Sequence, residues 1–183
     1  MELFASRGFQ NVTVGEIAAA AGVSERTFFR HFPTKEDVLF LPAEDIVRVI
    51  TDGLHGARSD ATPAELLTAA VAALSTACDK DRVLHRRRAA VISSVPALRE
   101  RDLLKQQAIA EALVDHLVQR RVPRTRAVCL AGVGLALYQA AYAQWVTDRS
   151  RTSLAERFSR ALEDLSVDLA GDRGVVAARR SQG

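Results

Sequence analysis

The chain has 183 residues, 48% hydrophobic and 26% charged, with a formal net charge of +3. That much apolar material excludes a disordered chain, and the length allows one medium domain or a small one joined to a larger one. Cys78 and Cys129 each sit in an apolar helical pattern with no second Cys or His at ligand spacing, which excludes a disulfide framework and a metal site and makes both core residues.

Strand signals are poor: apolar and polar residues do not alternate, and no Asn-Gly or Asp-Gly turn joins β-branched runs. The first predicted helix is Glu2 to Arg7, stopped by Gly8. Thr13 and Glu16 form a capping-box pattern, so a second helix runs from Val14 to Ala21 and breaks at Gly22. Ser24 caps a third, Glu25 to about His31, which Pro33 ends because the residue before a proline is pushed out of the helical region. Thr34 caps a fourth that starts at Lys35, with Glu36 and Asp37 favourable in its first turn. Pro42 breaks it near Leu41, and Gly53 and Gly56 end the segment.

Five more helices follow: Pro63 to Cys78, Arg82 to Ser93, Ala97 to about Arg121, Arg124 to Thr147, and Ser153 to Ala170. Asp79 to Asp81, Val95-Pro96 and Pro123 are the joints. Residues 171–183 read as a flexible tail. The predicted fold is all-α, with a three-helix N-terminal unit over 1–40 and a helical bundle over 41–170. No apolar run near an end fits a membrane span or a signal peptide, so the expected location is cytoplasmic, with no membrane partner.

Residues 8–39 carry the most specific pattern, that of a helix-turn-helix. Ile17 and Ala21 face inward, and small Ala18 lets the next helix approach. Gly22 supplies a positive φ, Val23 plugs the corner, and Phe28 and Phe32 anchor the third helix. Its other face, Arg26, Thr27, Phe29, Arg30 and His31, suits a DNA major groove.

This segment resembles the DNA-binding domain of the TetR family from Leu3 to Leu39, above all in the run from Thr27 to Glu36. The resemblance implies phosphate contacts from Thr13, Ser24 and Lys35, and groove contacts from Arg26, Thr27, Phe29, Arg30 and His31. Phe29 stands where the family usually has a tyrosine, and Gly15 where a basic residue is frequent, so two phosphate contacts are lost. The family's first helix is normally several turns longer, which raises the expectation of a native chain extending before Met1.

The resemblance implies a ligand enclosed by the fifth to eighth helices. Residues 35–40, 86–88 and 94–98 resemble a subgroup whose C-terminal domain binds acyl-CoA-like ligands. The candidate pocket residues are Leu67, Val71, Leu74, Cys78, Val91, Ile92, Leu104 and Ile109, with ordinary core packing as the alternative for each. The basic run Arg82 to Arg88 reads as a solvated helix face or, less simply, a CoA-phosphate site, and the run from Arg120 to Arg126 as a cap on a helix C-terminus.

The helix from Arg124 is apolar all round and the last helix carries one apolar stripe. Val128, Leu135, Tyr142, Trp145, Leu154, Phe158, Leu162 and Leu165 are therefore candidates for a four-helix homodimer interface, with an intramolecular core as the alternative. The expected partners are a double-stranded DNA operator, a small apolar effector and a second copy of the chain; no cofactor is expected. An enzyme is not expected: His55, His85 and His116 are far apart and no G-x-S-x-G, H-E-x-x-H or P-loop occurs. A DNA-binding or adaptor dimer without an effector stays open.

Overall fold

A computed structural model describes the backbone of residues 1–180 and the side chains of residues 1–169. Within these residues all regular elements are helical. They are α1 (Glu2–Arg7), α2 (Val14–Ala20), α3 (Glu25–His31), α4 (Ala43–His55), α5 (Pro63–Cys78), α6 (Arg82–Ser94), α7 (Pro96–Gln119), α8 (Arg124–Thr147) and α9 (Leu154–Arg180). The segment expected to be helical from Lys35 makes only a 3₁₀ turn, Glu36–Leu39, before Pro42 restarts the chain as α4. A flexible tail is expected from residue 171; α9 runs through Arg180. Residues 181–183 lie outside the described residues.

Local chemistry sets the helix starts. Thr13 and Glu16 close a full capping box: the Thr13 N–H donates to Glu16 Oε2 at 2.8 Å and the Glu16 N–H to Thr13 Oγ1 at 3.3 Å. Thr62 and Glu65 repeat it on α5, ahead of Pro63. Arginines supply the C-terminal counterpart. Arg82 donates to the carbonyls of Trp145, Asp148 and Ser150 at 2.6, 2.8 and 2.5 Å, and Arg86 to that of Val146 at 2.6 Å. Arg120 holds the end of α4 through the Leu54 carbonyl at 2.8 Å. Within the basic run on α6, Arg82 and Arg86 are thus engaged with carbonyls of the chain itself, while Arg86 and Arg87 stay exposed, as expected of a solvated face.

Two apolar clusters form the core. The larger joins α4, α5, α7, α8 and α9 around Leu54, Leu66, Leu117, Trp145, Leu154 and Phe158. The smaller joins Phe4, Phe9, Val12, Leu39 and Phe40 to Val91, Ile92 and Leu98. Val91 and Ile92, expected in the ligand pocket, belong to this second cluster, where with Leu98 they cover the Phe4, Phe9 and Phe40 rings.

α4 approaches α5 closely at Gly53, where a Cβ would lie 2.7 Å from Ala73 Cβ and 3.2 Å from the Ala69 carbonyl oxygen. Neither atom ends a flexible side chain. Gly53→Ala gains about 1 kcal/mol of helix propensity but incurs overpacking of about 1–3 kcal/mol. The expected outcome is a lower thermal midpoint; a higher one contradicts the close approach.

Candidate nucleic-acid interface and ligand cavity

Gly22 adopts φ +69°, the left-handed turn between α2 and α3, and the Val23 N–H returns to the Ala18 carbonyl at 3.0 Å. Ala18 is buried beneath the crossing and Phe28 anchors α3, with the Phe29 and Phe32 rings 5.6 and 5.4 Å from its own. Three details of the expected packing are corrected. Ala21 is exposed, Val23 is 41% exposed and Phe32 37% exposed, because among the described residues no further element closes over that corner.

The opposite face of α3 is free. Arg26, Phe29, Arg30 and His31 are exposed, and among the described residues the side chains of Arg26, Arg30 and His31 make no hydrogen bond or ion pair. Ser24 caps α3 by accepting from the Thr27 N–H at 3.2 Å, and its hydroxyl lies 3.0 Å from Thr27 Oγ1. Thr13 sits at the exposed start of α2. The Thr13 hydroxyl donates to Glu16 Oε2 at 3.0 Å, and Lys35 too is engaged within the chain. Its ammonium donates to the carbonyls of Phe9 and Val12 at 2.9 and 3.0 Å and lies 4.3 Å from the centre of the Phe9 ring. It ties the 3₁₀ turn to the loop after α1. Gly15 leaves room for the Glu25 carboxylate, 2.7 Å from where a Cβ would stand.

A cavity of about 850 Å³ lies between this unit and the bundle. Leu67, Val71, Leu74 and Cys78 of α5 and Ile109 of α7 line it. Leu104, expected beside Ile109, is 64% exposed: Lys105, one position on, takes the inward face of α7. Ile92 lines a smaller pocket of about 340 Å³ that shares Arg88, Asp102 and Tyr142 with the large one, and Val91 lines neither. Helical periodicity finds apolar faces but does not register the polar residues that interrupt them. The sequence reading therefore missed His85, Arg88, Asp102, Lys105, Gln106, Tyr138 and Gln139 in the wall, together with Phe32 and residues 37–40 of the N-terminal unit.

Polar groups gather at one end of the cavity. His85 Nδ1 lies 3.1 Å from the Tyr142 hydroxyl, and the Gln139 amide donates to Gln106. Burial and the nearby Arg88 cation lower the His85 pKa. Burial pushes the Cys78 thiol up to about 11, leaving it protonated, and raises both tyrosines. Arg88 donates to the Leu39 carbonyl, and Arg101 pairs with Asp37; both guanidiniums lie over the Phe40 ring.

The candidate dimer residues divide. Trp145, Leu154 and Phe158 are at most 1% exposed and belong to the chain's own core, while Leu135 and Tyr142 line the cavity. These five are corrected because α8 and α9 turn their largest side chains toward the bundle, where the most apolar area is buried. Leu162 packs on the core edge, Leu165 is half-buried and Val128 is exposed. The outward stripe of α8 is built from smaller residues, Cys129, Gly132, Val133, Ala136, Ala140 and Ala143, all exposed, so Cys129, expected in the core, lies on the surface because it falls on the outer face of α8.

Residues 1–40 match the profile described as "Bacterial regulatory proteins, tetR family", and residues 61–170 that of the "MftR C-terminal domain". The chain is 28% identical over 176 residues to a protein of Mycobacterium tuberculosis named as the mycofactocin biosynthesis transcriptional regulator MftR, covering 92% of this chain and 86% of that one. It is 27% identical to the HTH-type transcriptional regulator TcmR of Streptomyces glaucescens, over 94% of this chain and 81% of that one. Among solved structures it is similar to Thermus thermophilus FadR, a TetR family transcriptional repressor in complex with lauroyl-CoA. There the TM-score is 0.54 and the identity 26%, over 89% of this chain and 87% of that one.

The start of α2 has a pH signature. Hydrogen bonds from the Thr13 N–H, Arg7 and the Thr13 hydroxyl lower the Glu16 carboxyl from 4.5 to about 2. Because the folded value is depressed, the cap's contribution is complete above 4.5 and is lost as pH falls toward 2. The expected outcome is that Glu16→Gln lowers the urea midpoint at pH 6, and that the deficit shrinks steadily below pH 4.5. A deficit independent of pH contradicts it.

Proposed function

Because the chain belongs to the TetR family of bacterial regulatory proteins and is a transcriptional regulator of that type, we propose that it is a repressor that binds a near-palindromic operator as a homodimer and leaves it when a small, mainly apolar effector fills the cavity. Residues 1–40 read DNA, and residues 41–170 hold the effector and the partner subunit. A protein of this kind acts in the cytoplasm.

The cavity carries the ligand-responsive part of this reading. At about 850 Å³ it has the size of a small-molecule site, and its wall is mainly apolar with a few converging polar groups. The same wall includes Phe32 at the end of α3 and Asp37 to Phe40 just after it. An occupant therefore touches the element that presents Arg26, and a ligand that favours one placement of that element shifts the DNA-binding equilibrium. An effector-independent adaptor gives no reason for such a cavity. The lauroyl-CoA in the Thermus relative supports a ligand bearing an acyl chain.

On DNA, two copies place their α3 helices about 34 Å apart, one helical turn. Thr13 and Ser24 at helix starts are suited to phosphates, and Arg26, Thr27, Phe29, Arg30 and His31 to the groove. Lys35 acts indirectly, by holding the loop before α2. The small-residue stripe on α8, with Val128, is the face for the second copy; Leu162 and Leu165 flank it.

Two measurements test this. Arg26→Ala lowers affinity for an operator selected from random DNA by about 1–3 kcal/mol and leaves the assembly state unchanged; unaltered gel-shift binding contradicts it. Val133→Glu, which places a charge on the α8 stripe, converts the dimer to a monomer by analytical ultracentrifugation and abolishes operator binding, while helical circular dichroism is retained. A wild-type chain that sediments as a monomer at micromolar concentration overturns the dimer.

A further inference from the structure

The charges in the cavity wall are equal in number but not all paired. Its wall carries three cations, Arg48, Arg88 and Lys105, and three carboxylates, Asp37, Asp45 and Asp102. Arg48 pairs with Asp45 at 2.6 Å. Arg88 reaches Asp102 at 3.4 Å, and the other Asp102 oxygen accepts from Gln106 at 2.7 Å. Asp37 is held by Arg101, which is outside the wall, and by the Thr34 hydroxyl. Every carboxylate in the wall is therefore engaged, and Lys105 is left over. Among the described residues its ammonium makes no hydrogen bond or ion pair, and it lies 5.7 Å from the centre of the Phe40 ring.

We propose that the cavity takes an amphipathic carboxylic acid, whose carboxylate seats on Lys105 and whose apolar body runs along Leu67, Val71, Leu74 and Ile109. The inference rests on the ligand-responsive reading above and names the ligand class for the same site. A half-buried ammonium facing an apolar cavity without a counter-ion is an unfavourable arrangement that a bound anion relieves. One unpaired positive charge matches one carboxylate, whereas a phosphate monoester of about −1.5 to −2 exceeds it. A neutral ester or thioester leaves the ammonium unmatched. Burial, with repulsion from Arg88 that the attraction of Asp102 only partly offsets, brings Lys105 down to about 8, so it remains mostly cationic at pH 7. The protonated Tyr138 hydroxyl also lines this wall and is available to donate to the second carboxylate oxygen, whereas the Tyr142 hydroxyl already lies 3.1 Å from His85 Nδ1.

The test compares matched probes on the full chain at pH 7 by isothermal titration calorimetry: dodecanoate against 1-dodecanol, 4-phenylbutyrate against 4-phenyl-1-butanol, and lauroyl-CoA. At least one acid is expected to bind about tenfold or more tightly than its alcohol, as for one hydrogen bond between charged groups. Lys105→Met is expected to erase that preference without weakening the alcohol, and Lys105→Arg to keep most of it; a merely structural lysine changes both probes together. Equal binding of acid and alcohol in the wild type, a preference that survives in Lys105→Met, or no binding by either acid each overturns the proposal. Operator release, followed separately by gel-shift, distinguishes the two readings. Release by dodecanol or lauroyl-CoA but not by dodecanoate overturns the carboxylate and keeps the ligand-responsive regulator, whereas tight acid binding with no release by any probe keeps the carboxylate site and overturns the effector role.

Discussion

The arrangement of this protein depends on one apolar seam that the N-terminal unit shares with the bundle. Phe4, Phe9 and Phe40 lie in that seam with Val12 and Leu39. Those rings are buried only because Val91, Ile92 and Leu98 come down from α6 and the start of α7. The N-terminal unit thus shares a core with the bundle through α1, the loop after it and the turn that follows α3. The Arg87–Glu2 ion pair at 3.1 Å and the Arg88 bond to the Leu39 carbonyl follow the same seam.

Arginine does the work that connects the layers. Arg82 and Arg86 cap the end of α8 from α6, Arg120 caps α4 from the end of α7, and Arg101 binds Asp37 across the seam. A planar guanidinium with five donors meets two or three carbonyls at once, which an ammonium on a flexible stem does less well. Most of these contacts bridge elements more than sixty residues apart in the chain. A charge-rich sequence with a modest net charge therefore directs much of its positive charge inward, and what α3 leaves exposed is narrow: Arg26 and Arg30, with His31 beside them.

The cavity lies where these connections meet. His85 and Arg88 reach it from α6, Asp102 and Lys105 from α7, and Phe40 from the N-terminal unit. Three cationic groups, from Arg88, Arg101 and Lys105, lie within 5.7 Å of the centre of the Phe40 ring. Phe40 is at once a core residue of the DNA-reading unit and part of the cavity wall. An occupant that alters the surroundings of this ring acts directly on the unit that carries α3.

Helix existence, most helix ends and the helix-turn-helix were legible in the sequence, because they depend on neighbours within a few residues: the Thr13–Glu16 box, Gly22 at a positive φ, and the prolines at 33, 42, 63, 96 and 123. The TetR signature was legible for the same reason. Which way a long apolar helix turns its faces was not, since that depends on elements far away in the chain. Periodicity assigned Trp145, Leu154 and Phe158 to a partner chain, although the bundle of one chain buries them completely. It also placed Val91 and Ile92 in a ligand pocket, although with Leu98 they cover the Phe4, Phe9 and Phe40 rings. The polar wall of the cavity, and the pairing that leaves out Lys105, arise only when charges from α4, α6, α7 and the turn after α3 are brought together. The linear order of residues sets local hydrogen bonding and conformational preference; long-range packing alone decides which charges meet and which remain unpaired.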